Sequence, residues 1–240
     1  MGNSTSCLVV DVGGSNTRFL HMQDIRNPPD IQETIRTHPV RSKGAFRRAV
    51  EKSLAAMSEK PQSAVVAMAG IVNDHRSGMM TNWEEQTNLN LEELRSWGLP
   101  EETILANDLE AAAYAIDPIA FDDQRDRTTY LNANRPARYR NSVVIAPGTG
   151  FGMAVLVYTD SRVPVVLTSE AQHCPAGSFY KRHIDIIRSF AEQRNEAPSW
   201  EDLVSGRGLE FLYSYNTGVE RKASQIAGRA NSGDSGAQIA

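Results

Sequence analysis

Residues 9–18 of the chain read VVDVGGSNTR, in which an apolar stretch ends in an aspartate and is followed by two glycines and small polar side chains. Apolar stretches at 7–12 and 17–22 flank the glycines, which predicts a β-hairpin around a glycine turn. A dinucleotide-binding glycine loop would lead from a strand into a helix, and no helical pattern follows here. A Walker-type lysine is also missing. The carboxylate and the bare backbone of this turn therefore need another explanation.

The same pattern returns in the second half of the chain. Residues 141–159, NSVVIAPGTGFGMAVLVYT, again read as a strand, a glycine turn and a strand. Two such hairpins form a weak internal repeat, which predicts two similar α/β lobes that face one another. Backbone N–H groups in tight turns form concavities that bind anions, and glycine allows close approach. Either turn alone is more typical of a plain hairpin, and the two together are explained equally well as plain hairpins and as a site for a polyanionic ligand.

Polar side chains at the two turns fit a phosphate ligand. Arg18 could contribute a fixed positive charge. Asp11 would repel a phosphate in direct contact, so its expected role is to hold the shell of a Mg²⁺ ion. Further hydrogen-bond donors are Ser15, Asn16, Thr17 and Thr149.

The remaining pattern alternates between short apolar runs and helical periodicity. The segment 120–141 is polar and Arg-rich and predicts a surface connection. The final stretch begins like a helix of small residues and stops without a terminating element. Strands are predicted near 32–39, 63–70 and 103–108, and helices at 46–59, 91–98, 109–116, 178–194 and 199–216.

Composition limits the class of protein. The chain has 240 residues, 40% of them hydrophobic, and a formal net charge of −4, which gives no electrostatic case for a nucleic-acid partner. No apolar run is long enough for a transmembrane helix, and no signal peptide precedes the first strand. The two cysteines, Cys7 and Cys174, lie far apart and are typical of a reducing compartment. We expect a soluble, cytoplasmic protein without a membrane partner.

Further candidates for chemistry lie outside the glycine turns. Asp108 follows Asn107 where a predicted strand meets a helix. It is explained equally well as a helix cap and as a base that accepts a hydroxyl proton during phosphoryl transfer. Carboxylate and imidazole groups suit sugar hydroxyls, although each alone is more often structural. Such groups interrupt apolar surroundings at Glu170, His173 and Glu201.

Seven sequence blocks, in this order, resemble the bacterial glucokinase family: DVGGSNTR, AMAGIVN, MTNW, LANDLEAAAYAI, APGTGFGMA, SEAQH and LVSGRGLEFLY. The resemblance runs from about residue 7 to the end of the chain. It implies the two-lobed α/β fold of actin-like (ribonuclease H-like) ATPases. It also implies a cytoplasmic ATP-dependent hexose kinase that transfers the γ-phosphate of ATP to the 6-hydroxyl of glucose at the start of glycolysis.

The resemblance assigns a role to each motif. Residues 1–107 would form a small lobe with the first phosphate loop, and residues 108–240 a partial large lobe with the second. ATP would bind Asp11, Gly13, Gly14, Ser15, Asn16, Thr17, Gly148, Thr149 and Gly150, with Asp11 also serving Mg²⁺. Glucose or a related hexose would bind Asn82, Asn107, Asp108, Glu170, His173 and Glu201, with Asp108 as the catalytic base.

Two departures from the family leave alternatives open. The usual Glu-Gly-Gly-His reads Glu170-Ala171-Gln172-His173, which adds bulk beside the sugar. Glucokinases also continue through a glycine-rich adenosine segment and a final helix, so the second lobe is expected to be incomplete. A non-catalytic sugar-binding or regulatory protein, or an inactive fragment of a glucokinase, is the alternative, and a homodimer is left open. The repressor-and-kinase sugar family is disfavoured because its zinc motif is missing and no helix-turn-helix region precedes the first lobe.

Overall fold

The computed structural model describes residues 6–13, 16–24, 36–80, 83, 86–121, 139–160 and 162–239. The protein is a mixed α/β structure whose contacts divide it into two compact units, Met1–Ala112 and Ala113–Ala240. Most of the connection predicted at 120–141 lies outside the described residues. The roles expected for the two lobes remain predictions.

The first unit is built around a five-stranded sheet. Its elements are β1 (Cys7–Val12), β2 (Asn16–Met22), β3 (Arg36–Pro39), α1 (Lys43–Ala55), β4 (Ser63–Met68), β5 (Gly70–Asn73), β6 (Ser77–Met80), β7 (Thr87–Asn90), α2 (Leu91–Ser96), β8 (Glu102–Asn107) and the start of α3 (Asp108–Phe121), which continues beyond Ala112. The five strands of the large sheet lie in the order β3-β2-β1-β4-β8, and a smaller antiparallel sheet has the order β5-β6-β7.

The register of the large sheet brings the first glycine turn and the start of α3 to one edge. β1 pairs antiparallel with β2, which confirms the predicted hairpin. β4 is parallel to both β1 and β8, so Val12, Met68 and Asn107 are aligned at the carboxyl ends of three neighbouring strands. Ligands of open α/β sheets bind outside these carboxyl ends.

One apolar cluster supports this sheet. Leu8, Val10 and Val12 alternate along β1 and are fully buried. Phe46 on α1 packs edge-to-face against two tryptophans, Trp83 and Trp97, with ring centroids 5.9 and 5.8 Å away. The first unit therefore has its own close-packed core, which supports the sheet.

The second unit combines helices with a three-stranded antiparallel sheet of β9 (Ser142–Pro147), β10 (Phe151–Tyr158) and β11 (Pro164–Ser169), in the order β11-β10-β9. The predicted hairpin around the second glycine turn is confirmed by β9 and β10. A 3₁₀ turn, Ala171–His173, follows the sheet. The helices that follow are α4 (Lys181–Arg194), α5 (Trp200–Leu203), α6 (Gly206–Thr217), α7 (Ala223–Asn231) and α8 (Ser235–Ile239).

The prediction of one helix over 199–216 was wrong. The segment forms α5 and α6, separated by Val204 and Ser205. Ser205 caps α6 by accepting a hydrogen bond from the Gly208 N–H at 3.3 Å. A side chain at position 208 would overlap the backbone carbonyl of Leu203, so the close turn requires glycine there. Helical periodicity continues across this break and therefore conceals it.

The sheet of the second unit is apolar on both faces. Val144, Ala154 and Leu156 face inward and are buried. On the opposite face, Val143 and Leu167 both lie beside Val155 and are 61% and 54% exposed. Within the described ranges, no helix has the length and apolar character needed to cross a membrane.

Candidate active site

The first glycine turn closes tightly at the end of β1. The Gly13 N–H donates to the Asn16 carbonyl at 3.0 Å, and a Cβ at position 13 would lie 3.1 Å from that oxygen. Thr17 lies beneath the turn with a fully buried side chain, whereas Asn16 is exposed. Gly14 and Ser15, predicted to bind ATP, lie outside the described residues.

Asp11 lies opposite Arg18 across the hairpin. The Arg18 guanidinium donates to Asp11 Oδ2 at 2.7 Å, and the two side chains are 43% and 53% exposed for Asp11 and Arg18 respectively. An ion pair this exposed contributes little to stability. It does orient the carboxylate beside the turn.

Asn107, rather than Asp108, caps α3. Its Oδ1 accepts the N–H groups of Leu109 at 2.9 Å and Glu110 at 3.2 Å, while its Nδ2 donates to the Gly70 carbonyl at 3.0 Å. Asp108 is the first residue of the helix. The interpretation of Asp108 as a simple helix cap was therefore wrong.

The environment of Asp108 makes it a stronger base than an ordinary carboxylate. Burial raises the pKa of the Asp108 carboxyl above its ordinary value, the hydrogen bond from the Leu109 N–H opposes this, and the charge of Asp11 raises the pKa further. A base gains proton affinity when its pKa moves towards the working pH. At this sheet edge the charge of Asp11 thus acts on the carboxylate of Asp108.

Two residues that the sequence did not single out support this arrangement. Glu110 Oε2 accepts the Asn107 N–H at 3.3 Å, and Glu110 Oε1 lies 3.5 Å from His75 Nε2. His75 Nδ1 lies 2.9 Å from the Leu105 carbonyl, which can only accept, so this nitrogen carries a proton. Asn107 and Glu110 together form a capping box, whose Asn-x-x-Glu spacing was visible in the sequence. The contribution of His75, 30 residues away from Leu105, was not.

The second glycine turn is held by the start of α6. The Gly148 N–H donates to the Gly150 carbonyl at 2.8 Å, and the Gly206 N–H donates to the Gly148 carbonyl at 2.8 Å. Thr149 is exposed at the tip. Glu201 Oε2 accepts the N–H of Phe151, the first residue of β10, at 3.0 Å. The turn is therefore fastened to the chain around Glu201 and Gly206.

Glu170 and His173 lie at the two ends of the 3₁₀ turn. Glu170 Oε2 lies 3.4 Å from His173 Nε2, and both side chains are more than half exposed. Gln172, which the resemblance led us to expect as a glycine, is buried, and its Nε2 donates to the same oxygen of Glu170 at 2.7 Å. This hydrogen bond braces the Glu170 carboxylate. Asn82 lies outside the described residues.

The structure brings the predicted residues together within each unit. Asp11, Asn107 and Asp108 share one sheet edge of the first unit. In the second unit the Glu201 carboxylate accepts the N–H of Phe151 beside the glycine turn, and Glu170 lies 3.4 Å from His173. No group of three or more His, Cys, Asp or Glu side chains in the described part of the chain could hold a metal by itself.

Comparison with known proteins identifies the family. The model of the glucokinase family matches residues 8–240. A glucokinase of Sinorhizobium medicae is 32% identical over 93% of this chain and 62% of its own length, and one of Rhizobium johnstonii is 31% identical over 86% and 57%. The chain therefore spans about 60% of the length of these relatives.

Solved structures share the fold. Glucokinase from Balamuthia mandrillaris in complex with glucose superposes with a TM-score of 0.74 at 23% identity, over 98% of this chain and 71% of that one. A ROK family glucokinase from Streptomyces griseus, in complex with glucose and AMPPNP, superposes with a TM-score of 0.58 at 17% identity, over 97% and 73%. The chain belongs to the glucokinase family and has its actin-like ATPase fold.

Proposed function

We propose that this protein is an ATP-dependent glucokinase that phosphorylates the 6-hydroxyl of glucose or a related hexose. The observation that carries the proposal is Asp108, a half-buried carboxylate with a raised pKa at the carboxyl end of β8. Membership of the glucokinase family supports the same activity. ATP and Mg²⁺ are the co-substrate and cofactor that this activity requires.

Asp108 would act as the base. It would accept the proton of the 6-hydroxyl while the sugar oxygen forms a bond to the γ-phosphorus of ATP. The bond from this phosphorus to the bridging oxygen breaks, and ADP leaves with both electrons. Asn107 would orient the part of the sugar that carries this hydroxyl. Its own side chain is held by the hydrogen bond that Nδ2 donates to the Gly70 carbonyl.

The two glycine turns would hold the phosphates through backbone N–H groups. Asp11 fits a Mg²⁺ ion, because its side chain is 43% exposed beside the first turn and only Oδ2 is engaged by Arg18 in their ion pair. Mg²⁺ in phosphoryl-transfer sites is typically held by one or two carboxylates together with phosphates and water. When bound, the ion would neutralise phosphate charge.

Sugar hydroxyls would be bound by Glu170, His173 and Glu201, and by Asn82. Carboxylates accept two hydroxyl hydrogen bonds side by side, which suits neighbouring hydroxyls on a hexose. A cytoplasmic location is supported by the two cysteines, since Cys7 and Cys174 are both free thiols.

A coupled assay for hexose 6-phosphate, with glucose, ATP and Mg²⁺, tests the proposal. Asp108→Asn is expected to lower kcat by at least about 100-fold, the usual effect of removing a general base. Asp185→Asn is the matched control, because Asp185 lies on α4 and pairs with Arg188 at 3.8 Å on the same helix. Unchanged turnover in Asp108→Asn would reject the base.

Calorimetry distinguishes the kinase from the alternative function, a non-catalytic sugar-binding protein. Binding of glucose without saturable binding of ATP, together with no turnover, would favour a non-catalytic sugar-binding protein. Binding of both ligands supports the kinase. Repeating the titration with the C2 and C4 epimers of glucose would show which hexose the site prefers.

A further inference from the structure

The carboxylate of Glu201 lies against the second glycine turn, Gly148–Gly150, which is the proposed second phosphate loop. Its Oε2 accepts the Phe151 N–H at 3.0 Å, across 50 positions of sequence, and its side chain is only 18% exposed. This carboxylate is also a proposed sugar ligand. One side chain thus connects the group that would bind the sugar with the backbone that would bind phosphate.

Gly150 makes room for this contact. A Cβ at position 150 would lie 2.7 Å from Glu201 Oε2 and 3.4 Å from its carboxyl carbon. Any other residue would push the carboxylate away from the turn. The glycine that precedes β10 is therefore required for the approach of Glu201 as well as for the approach of a ligand.

Arg207 holds the other side of the carboxylate. Its Nη2 donates to Glu201 Oε1 at 2.6 Å and lies 3.3 Å from Asp202 Oδ1. The residue before it, Gly206, donates its N–H to the Gly148 carbonyl at 2.8 Å. The start of α6 therefore contacts the second glycine turn in two ways. Gly206 binds it directly, and Arg207 binds Glu201, which in turn accepts the N–H that follows the turn.

We infer that Arg207 is a positioning residue that, through Glu201, couples sugar binding to nucleotide binding. The inference rests on the proposed kinase function. A carboxylate has about four acceptor positions. Phe151 and Arg207 use one on each oxygen, so a sugar hydroxyl can add to the same group. A sugar bound there would order Glu201 and the turn together, so that ATP would lose less conformational entropy on binding.

Coupling of this kind is reciprocal: glucose and nucleotide must tighten one another by the same factor. Arg207 is 59% exposed, so the stability it contributes is expected to be small. Loss of coupling without loss of stability is the signature that a merely structural ion pair would not produce.

The first test is calorimetry on the protein with Mg²⁺ and a non-hydrolysable ATP analogue, with and without saturating glucose, and then with the order of ligands reversed. We expect glucose to tighten nucleotide binding by at least about fivefold in the parent protein. Arg207→Met should bring this factor close to one and change the glucose affinity alone by less than about threefold. Arg229→Met is the matched control, because Arg229 pairs with Asp234 at the surface and should leave the factor unchanged.

A second measurement needs no ligand. Amide hydrogen exchange at Phe151 should be at least about fivefold faster in Arg207→Met than in Arg229→Met, because the acceptor of that N–H is no longer held. Unchanged exchange, or an unchanged coupling factor, would overturn the role of Arg207. If the parent protein bound neither sugar nor nucleotide, the proposed function and the coupling would both fall. If it bound both without mutual effect, only the coupling would fall.

Discussion

Glu110 accepts a hydrogen bond from the backbone N–H of Asn107, with 3.3 Å between Glu110 Oε2 and the Asn107 nitrogen. Asn107 in turn accepts the N–H groups of Leu109 and Glu110 at the start of α3. These reciprocal hydrogen bonds between Asn107 and the first turn determine where the helix begins. Asp108 lies in the chain between Asn107 and Glu110, so its position depends on them. The side chain of Glu110 is only 10% exposed and faces His75, so the geometry of the candidate base depends on a buried carboxylate.

Removing the Glu110 carboxylate should disturb this start. Glu110→Ala leaves the Asn107 N–H without its acceptor and is expected to lower the free energy of unfolding by about 1–3 kcal/mol. Glu110→Gln keeps an acceptor oxygen at the same place and should cost less than half as much. Urea unfolding of the two variants measures the difference, and kcat should follow the same order. Equal destabilisation by both variants would show that the negative charge, rather than the capping bond, is what matters.

Asp108→Asn should remove the proposed activity and make the protein more stable at the same time. At neutral pH two effects disfavour the ionised form of Asp108, namely its burial and the negative charge of Asp11. Both raise the pKa of the Asp108 carboxyl. The amide keeps the shape and the bond from the Leu109 N–H without the charge. We expect Tm to rise by roughly 1–3 °C, a gain below about 1 kcal/mol. Scanning calorimetry at neutral pH measures it, and a lower Tm would contradict the burial argument.

Lowering the pH should abolish this difference in Tm. The pKa of Asp108 is higher in the folded protein than its ordinary value of 3.8, so the folded state binds this proton more tightly than the unfolded state does. The cost in stability of keeping Asp108 ionised is fully present above the folded-state pKa and is lost as the pH falls to 3.8 and below. Thermal scans at several pH values test this. A gap between Asp108→Asn and the parent that widened in acid would contradict the raised pKa.

The capping box of α5 predicts the opposite dependence on pH. Ser199 Oγ donates to Asp202 Oδ2 at 2.6 Å and accepts the Asp202 N–H at 3.2 Å. Burial raises the pKa of Asp202, but the hydrogen bonds from Ser199, together with Arg207 and His173, lower it below 3.8 overall. Ser199→Ala should therefore cost about 1 kcal/mol at neutral pH.

That cost should shrink as the pH falls below 3.8. A lowered folded-state pKa means that the stability from ionised Asp202 is present above the unfolded-state value and is lost as the carboxylate is protonated. Urea unfolding of Ser199→Ala and the parent at neutral and acid pH measures it. A cost that did not vary with pH would mean that only the helix cap, and not the charge of Asp202, is involved.

Two helical glycines should respond to alanine in opposite ways. A Cβ at Gly208 would overlap the Leu203 carbonyl, whereas a Cβ at Gly228 on α7 meets nothing within 4 Å. Gly208→Ala is expected to destabilise the second unit by about 1–3 kcal/mol through overpacking. Gly228→Ala should be neutral or stabilising by up to about 1 kcal/mol. Denaturant unfolding of both variants checks this, and equal effects would contradict the overlap at position 208.

Much of the fold could be predicted from short segments. The hairpins around Gly13 and Gly148, the strand at 63–68 and the helix after Asp108 follow from local periodicity and from glycine, both of which act over a few residues. Local signals failed where two elements share one periodicity. The break at Ser205 between α5 and α6 was missed for this reason. The strand Pro164–Ser169 was not predicted either.

In the candidate site, too, some features could be predicted from the sequence and others could not. Motif order was enough to nominate Asp11, Asp108 and Glu201, because the chemistry of a residue type and its neighbours is written in the chain itself. The partners of those residues were decided by folding. His75 meets Leu105 across 30 positions, and Glu201 meets Phe151 across 50. Such contacts depend on strand order, on parallel register and on the space left by Gly150. No local pattern records these features, because they exist only once distant segments have packed together.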